Sequence, residues 1–343
     1  MRLQIFNQVN AVEWDQSVTP LGVGIWHSSA WANYVGASKP TSIAQYFRCI
    51  CHSGQTCGVA LGFHERSPRP LSGALTGRLW FDSTPVTTSE QQLAEFLCLL
   101  EGYARKIGVV EISLGSYGSL DAASTLHALA YETTSRFEFE FDLRRNDDEL
   151  WNAFDFKRRN KLRKAMKAGL RISEVIGKDG IRELRRLQRE SANRIVRRGG
   201  PPIGTDYSEQ DPIAILQRLG AAEVWGASLD GELVSAALFT NFNGMVYQML
   251  SGHTNRGLSV EAPSLLLWEA LKQYRLRGVV RFSLGGCKAD AANEDSSEHG
   301  IYVYKKHFSD VCLSCTSGRK VLRKYTQRLV RTLRYAFARP ERY

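Results

Sequence analysis

Apolar positions recur at helical spacing through Leu93, Phe96, Leu97, Leu100, Ala104 and Ile107, which predicts an amphipathic helix with one buried stripe. Ser89 and Gln92 form a capping-box signature at its start, and Gly108 stops it. A second stripe of Leu266, Leu267, Ala270, Leu271 and Tyr274 predicts another helix, opening near Pro263 and closing at Gly278. Each helix runs into a short apolar strand, and the two strands are near copies. Gly108-Val-Val-Glu-Ile-Ser-Leu-Gly115 and Gly278-Val-Val-Arg-Phe-Ser-Leu-Gly285 agree at six of eight positions. Such self-similarity predicts one α/β unit used twice.

Strand patterns surround both helices. Glu223–Leu229 and Glu232–Thr240 flank the turn dipeptide Asp230-Gly231, a strong hairpin signal, and Met245–Ser251 follows a turn at Asn243-Gly244. In the first half Tyr46–Cys51, Thr56–Phe63 and Leu79–Phe81 suit strands, and Phe137–Leu143 alternates with period two. The stretch from Glu149 to Gly169 predicts one helix with Leu150, Trp151, Phe154, Leu162, Ala165 and Met166 on one side and positive charge elsewhere. The expected fold class is α/β (α+β), with mixed sheets flanked by helices in each half.

Length and composition agree with two cores: the chain has 343 residues, 43% of them apolar. The expected domains are residues 1–144, residues 145–317 beginning with the basic helix, and a basic amphipathic helix over 318–343 with Leu322, Tyr325, Leu329 and Leu333 in line. That tail either packs on its own domain or lies on an acidic membrane surface. No run approaches the ~20 apolar residues of a membrane-spanning helix. The N-terminus lacks a secretory signal pattern, so a cytoplasmic location is expected. Residues 1–140 carry nine Lys/Arg against twelve Asp/Glu and the remainder 36 against 23, which points to an anionic partner for the second half. Of the seven cysteines, Cys49/Cys51 and Cys312/Cys315 are closely spaced, but neither pair has the second knuckle of a structural zinc site. Free thiols and no metal are expected.

The order of hairpin, strand, helix and strand ending in Gly-Gly resembles the core of the GNAT acyltransferase fold, present here twice in tandem. Lys157-Arg-Arg-Asn-Lys-Leu-Arg-Lys-Ala165, followed by Lys167-Ala-Gly-Leu-Arg-Ile172, resembles the signature helix of the Fem family of non-ribosomal peptidyl transferases and of the related CelD-type acyltransferases of polysaccharide gene clusters. Ser191-Ala-Asn-Arg194 before a Gly-Pro segment, Phe282-Ser-Leu-Gly-Gly286 and Tyr304-Lys-Lys-His-Phe308 match in the same order.

The resemblance implies transfer of an acetyl, acyl or aminoacyl group, from acyl-CoA or aminoacyl-tRNA, to a primary amine of a sugar or peptide acceptor. It places the acyl group between two splayed strands, here Met245–Ser251 and Val280–Leu284. Lys305 aligns with the lysine of the family's Phe-Lys element, as an ammonium that would stabilise negative charge on the acyl carbonyl, with Tyr304 as an aromatic wall. The competing reading is an ordinary exposed lysine on a terminal strand. Arg159, Arg163 and Arg194 are acceptor-binding candidates, because guanidinium groups grip phosphate or carboxylate by paired hydrogen bonds. Tyr247 is a candidate for orienting the amine. In the fold's usual donor turn, backbone amides hold pyrophosphate at a helix N-terminus. The matching stretch here, Asn255 to Ala262, offers Arg256, Gly257 and Ser259 but carries one glycine and an acidic residue. Glu261 and His253 lie near that turn as bases that sequence alone does not place. A reading from another class also stands, a non-catalytic binder of nucleic acid or anionic polymer using the basic helix and tail.

Overall fold

In chain order the computed structural model contains β1 (Arg2–Phe6), α1 (Ala11–Val18), α2 (Ser29–Ser38), β2 (Ser42–Ile50), β3 (Thr56–Glu65), β4 (Arg78–Phe81), β5 (Val86–Thr87), α3 (Glu90–Lys106), β6 (Glu111–Leu114), α4 (Ala123–Ala128) and β7 (Glu132–Asp142). There follow α5 (Asp147–Ala153), α6 (Phe156–Met166), β8 (Arg171–Glu174), α7 (Lys178–Arg197), α8 (Ile213–Arg218), β9 (Ala222–Leu229), β10 (Glu232–Phe242), β11 (Met245–His253), α9 (Asn255–Ser259), α10 (Ala262–Leu276), β12 (Arg281–Lys288), α11 (His299–Lys306) and β13 (Val311–Val321). The structure describes residues 1–65, 77–119, 121–197, 211–309 and 311–323.

The chain divides into two units, one of Met1–Ser135 with the described residues from Cys315 onward, the other of Arg136–Ser314. Strand order in the first is β1-β2-β3-β4-β6-β13, antiparallel except where β4 and β6 run parallel across the α3 crossover. In the second it is β8-β9-β10-β11-β12-β7, with β11 and β12 the parallel pair across α10. The repeated strand motif is thus a repeated architecture. Phe47, Phe81, Phe96 and Leu100 anchor the first core, and Phe139, Phe141, Phe239, Tyr274 and Phe282 the second.

Local chemistry accounts for the connections. Asp230 and Gly231 have φ of 52° and 84°, Asn243 and Gly244 of 54° and 70°, as hairpin turns of this kind require. Ser89 accepts from the Gln92 amide at the start of α3, and Gly108 leaves its end at φ 82°.

Three boundaries differ from expectation. Arg136–Asp142 of β7 pairs with β12, so this stretch belongs to the second unit and not to residues 1–144. The stretch from Glu149 to Gly169 is two helices, because Phe154 is extended (ψ 141°) and the Asp155 carboxylate caps a new helix by accepting from the Lys157 amide. Gly318–Val321 forms antiparallel strand against β6 where a basic helix was expected. The charges read there as a helix face are ion pairs: Arg319 with Glu111, and Lys320 with Glu101 at 2.6 Å. Tyr325, Leu329 and Leu333, and with them the rest of the expected tail helix, lie outside the described residues. No helix among the described residues is long and apolar enough to cross a membrane.

Candidate active site

The parallel strands of the second unit part company after three residues. Met245, Val246 and Tyr247 pair with Arg281, Phe282 and Ser283, and beyond them β11 and β12 share no partners, although β11 stays paired to β10 and β12 to β7. A bulge explains the divergence: the register of β12 on β7 slips between Ser283 and Gly286, and Gly285 takes the left-handed φ of 69° that glycine favours. In the first unit β4 and β6 pair over all of β4, and the Gly115 amide donates to the Phe81 carbonyl at 2.7 Å to extend the contact. Among the described residues, only the second unit has such a gap in the pairing of its parallel strands, the candidate slot.

Four polar side chains converge on Gly285-Gly286 at that slot. Tyr247 of β11 donates its hydroxyl to Glu138 of β7 at 3.1 Å, although β12 runs between them. Strands two places apart lie ~10 Å from each other, and a missing side chain at Gly285 leaves room for the bridge. Arg136 Nη2 is 3.4 Å from Glu138 Oε1 and 3.5 Å from the Tyr247 hydroxyl. Lys305 Nζ donates to the Gly286 carbonyl at 2.9 Å. A Cβ on Gly286 would run into the Phe137 carbonyl and the Arg136 guanidinium. Burial pushes the Lys305 ammonium down to about 8, with Arg136 adding to the effect against Cys287, Glu138 and Glu298. Burial, then the Glu138 carboxylate, holds the Tyr247 hydroxyl well above its ordinary range.

Lys305 and Tyr247, expected from sequence to serve the reaction, thus share one cluster. Lys305 sits half-buried on helix α11, not exposed on a terminal strand. Glu138 and Arg136 were not anticipated. Their signal was the acidic residues of the alternating strand Phe137-Glu-Phe-Glu-Phe141, which face away from the aromatic core; Glu140 likewise pairs with Arg281.

Tyr304 turns to a neighbouring cluster. Its ring lies 4.7 Å from the guanidinium of Arg158, which also sits 4.5 Å from the Phe308 ring, and burial pushes its hydroxyl up to about 12. Arg158 is the buried cation of α6, at 5% exposure, and donates to Ser264 Oγ at 2.9 Å. The sequence-based candidates beside it face elsewhere: Arg159 donates to the Asn152 carbonyl at 3.0 Å, and exposed Arg163 to Asn160 at 2.8 Å. Arg194 of α7 binds the His253 carbonyl at 3.1 Å and so holds the end of β11.

The donor turn is closed. Thr254 caps α9 and takes the Gly257 amide at 2.9 Å, while the amides of Leu258, Val260 and Glu261 donate to the carbonyls of Thr254, Arg256 and Leu258. Arg256 is ion-paired with Asp230, and Ser259 donates to the Arg256 carbonyl at 2.8 Å. These residues do not fit a diphosphate held on open amides as acyl-CoA would require. Neither base candidate faces the slot through its bonded atoms: His253 Nδ1 is 2.8 Å from Ser235 Oγ, and Glu261 is taken by Arg158, Lys161 and Ser264.

Residues 156–306 match the acetyltransferase (GNAT) domain family. The match lies within the second unit. The fold of the chain extends to solved proteins of low sequence identity. The FemX crystal structure superposes with a TM-score of 0.76 at 16% identity, covering 96% of this chain and 100% of that one. The C-terminal domain of an Agrobacterium fabrum protein described as a lysylphosphatidylglycerol synthetase gives 0.53 at 14%, covering 95% and 97%. A tandem GNAT protein from the clavulanic acid biosynthesis pathway gives 0.50 at 15%, covering 94% and 99%. No curated protein matches by sequence. Both units thus follow the GNAT plan, and the slot lies in the one carrying the matched GNAT domain.

Proposed function

We propose that the GNAT domain transfers an activated acyl or aminoacyl group to a primary amine of a cell-envelope or exopolysaccharide precursor. The observation that carries this reading is the slot between β11 and β12, open beyond Tyr247 and Ser283 and lined at Gly285-Gly286 by Lys305, Tyr247, Glu138 and Arg136. A carbonyl entering the slot finds strand edges with no partner on the facing strand and a cation alongside, the arrangement that stabilises a developing oxyanion. Lys305 remains mostly protonated at neutral pH with its ammonium near 8. The attacking amine forms the new C–N bond as the bond to the leaving heteroatom breaks, the electron pair departing with that heteroatom, which leaves as an anion and takes its proton from solvent. The amine's surplus proton passes to the Tyr247 oxygen while the Tyr247 proton moves to Glu138, along the hydrogen bond already present.

The acceptor class draws support from the Fem-type motifs and from the likeness in fold to FemX and to a protein described as a lysylphosphatidylglycerol synthetase. Catalytic Lys305 and Tyr247, with Arg194 fixing the strand that presents Tyr247, form the working site; Tyr304 supports it by packing on Arg158. A place at the inner face of the membrane belongs to the same reading and rests on the basic sequence of the tail. Acyl-CoA and aminoacyl-tRNA are both tested as donors, by thermal shift and then by turnover with amine acceptors. Lys305→Met is expected to lower turnover at least a hundredfold with the melting temperature preserved. Full activity of that variant with every acceptor turned over by the wild type would overturn the reading.

A further inference from the structure

Glu261 stands between β11 and α10, where the GNAT crossover helix ordinarily meets the diphosphate of its donor. Its backbone is left-handed, φ 59°, although it carries a full side chain. The carboxylate lies at the first turn of α10 and is held from three sides. Oε2 accepts from Ser264 Oγ at 2.9 Å and is 3.4 Å from Arg158 Nη1, and Oε1 is 2.7 Å from Lys161 Nζ. Arg158 is buried between Tyr304, Phe308 and Ser264, and Lys164 Nζ reaches the Ser259 carbonyl at 3.5 Å. A guanidinium, an ammonium, a hydroxyl and the positive end of a fifteen-residue helix make up a phosphate-binding set. Here a carboxylate of the chain itself occupies it.

We propose that Glu261 is a resident anion that fills this cradle, so the domain selects acyl donors that do not place a diphosphate at the N-terminus of α10. The inference rests on the acyltransferase reading and deepens it by excluding a class of donor anchoring. An entering diphosphate would meet like charge at Glu261, and the nearby turn amides are already committed to Thr254, Arg256 and Leu258. The donor is then held through its acyl arm in the slot and through contacts away from this helix.

Titration calorimetry at fixed ionic strength tests this with inorganic pyrophosphate, CoA and pantetheine as probes. Wild-type protein is expected to bind CoA no more than threefold tighter than pantetheine. Glu261→Gln, which keeps the contact with Ser264 and drops the charge, is expected to bind pyrophosphate at least tenfold tighter than wild type. Glu261→Gly, which suits the left-handed backbone, should show the same gain, and Arg158→Met added to it should remove the gain. Wild-type CoA binding tenfold tighter than pantetheine, or no gain in either Glu261 variant, overturns the proposal. Because these are equilibrium measurements, lack of acyl transfer with any donor would count against the enzymatic reading and leave the binding outcome to be judged separately.

Discussion

Lys305 shows how burial and charge set the chemistry of one residue. Its ammonium is lowered to about 8 from 10.5, so on raising the pH the folded protein releases this proton before the unfolded chain does. Turnover that depends on the cation is therefore expected to fall above about pH 8, and the stability cost of burying it to be relieved between about 8 and 10.5. A pH–rate profile lacking that alkaline limb would contradict the role given to Lys305. His27 in the first unit follows the same sign at lower pH. Burial lowers it to about 4 from 6.5 against the hydrogen bond to the Thr84 carbonyl, so the unfolded chain takes up the proton first. Stability from this residue is complete above 6.5 and lost as pH falls to 4, a loss on the order of 3 kcal/mol. Denaturant unfolding of the wild type and His27→Gln across that range checks this; parallel pH dependence of the two would refute it. At Gly286 the constraint is steric. Gly286→Ala must displace the Phe137 carbonyl or Arg136, and turnover is expected to drop more than tenfold, with stability falling by about 1–3 kcal/mol. An alanine variant with wild-type turnover and melting temperature would show that the di-glycine is not needed to assemble the cluster.

Among the elements, those written in local chemistry were the legible ones. Helix α3 follows its stripe from the Ser89 cap to Gly108, and the hairpin of β9 and β10 follows Asp230-Gly231. The break between α5 and α6 was hidden because Phe154 continues the apolar stripe even though it is extended, and the Asp155 cap has no distinctive partner in sequence. The strand at Gly318–Val321 was hidden because adjacent Arg319 and Lys320, which pair with Glu111 of β6 and Glu101 of α3, look like a solvated helix face until those partners are known. The candidate site divides similarly. Lys305 and Tyr247 were marked by motif and by strand position, whereas Glu138, 109 residues from Tyr247, is brought to it only by the order of the sheet. The bulge in β12 joins the two levels: a sequence of two glycines becomes a kink, and the kink becomes a slot.

For the molecule as a whole, one strand order occurs twice and only one copy opens. In the first unit the parallel strands β4 and β6 remain hydrogen-bonded past the end of β4; in the second β11 and β12 separate. Among the described residues the parallel strands part in the second unit alone, which is why the chemistry is proposed for that unit. The most direct measurement is a crystal structure of the chain with an acylated donor or its non-hydrolysable analogue bound. The account predicts the acyl carbonyl between β11 and β12, beyond Tyr247 and Ser283, with Lys305 and the Tyr247–Glu138 pair beside it. Strands hydrogen-bonded along their full length, or an acyl group seated anywhere else, would contradict it.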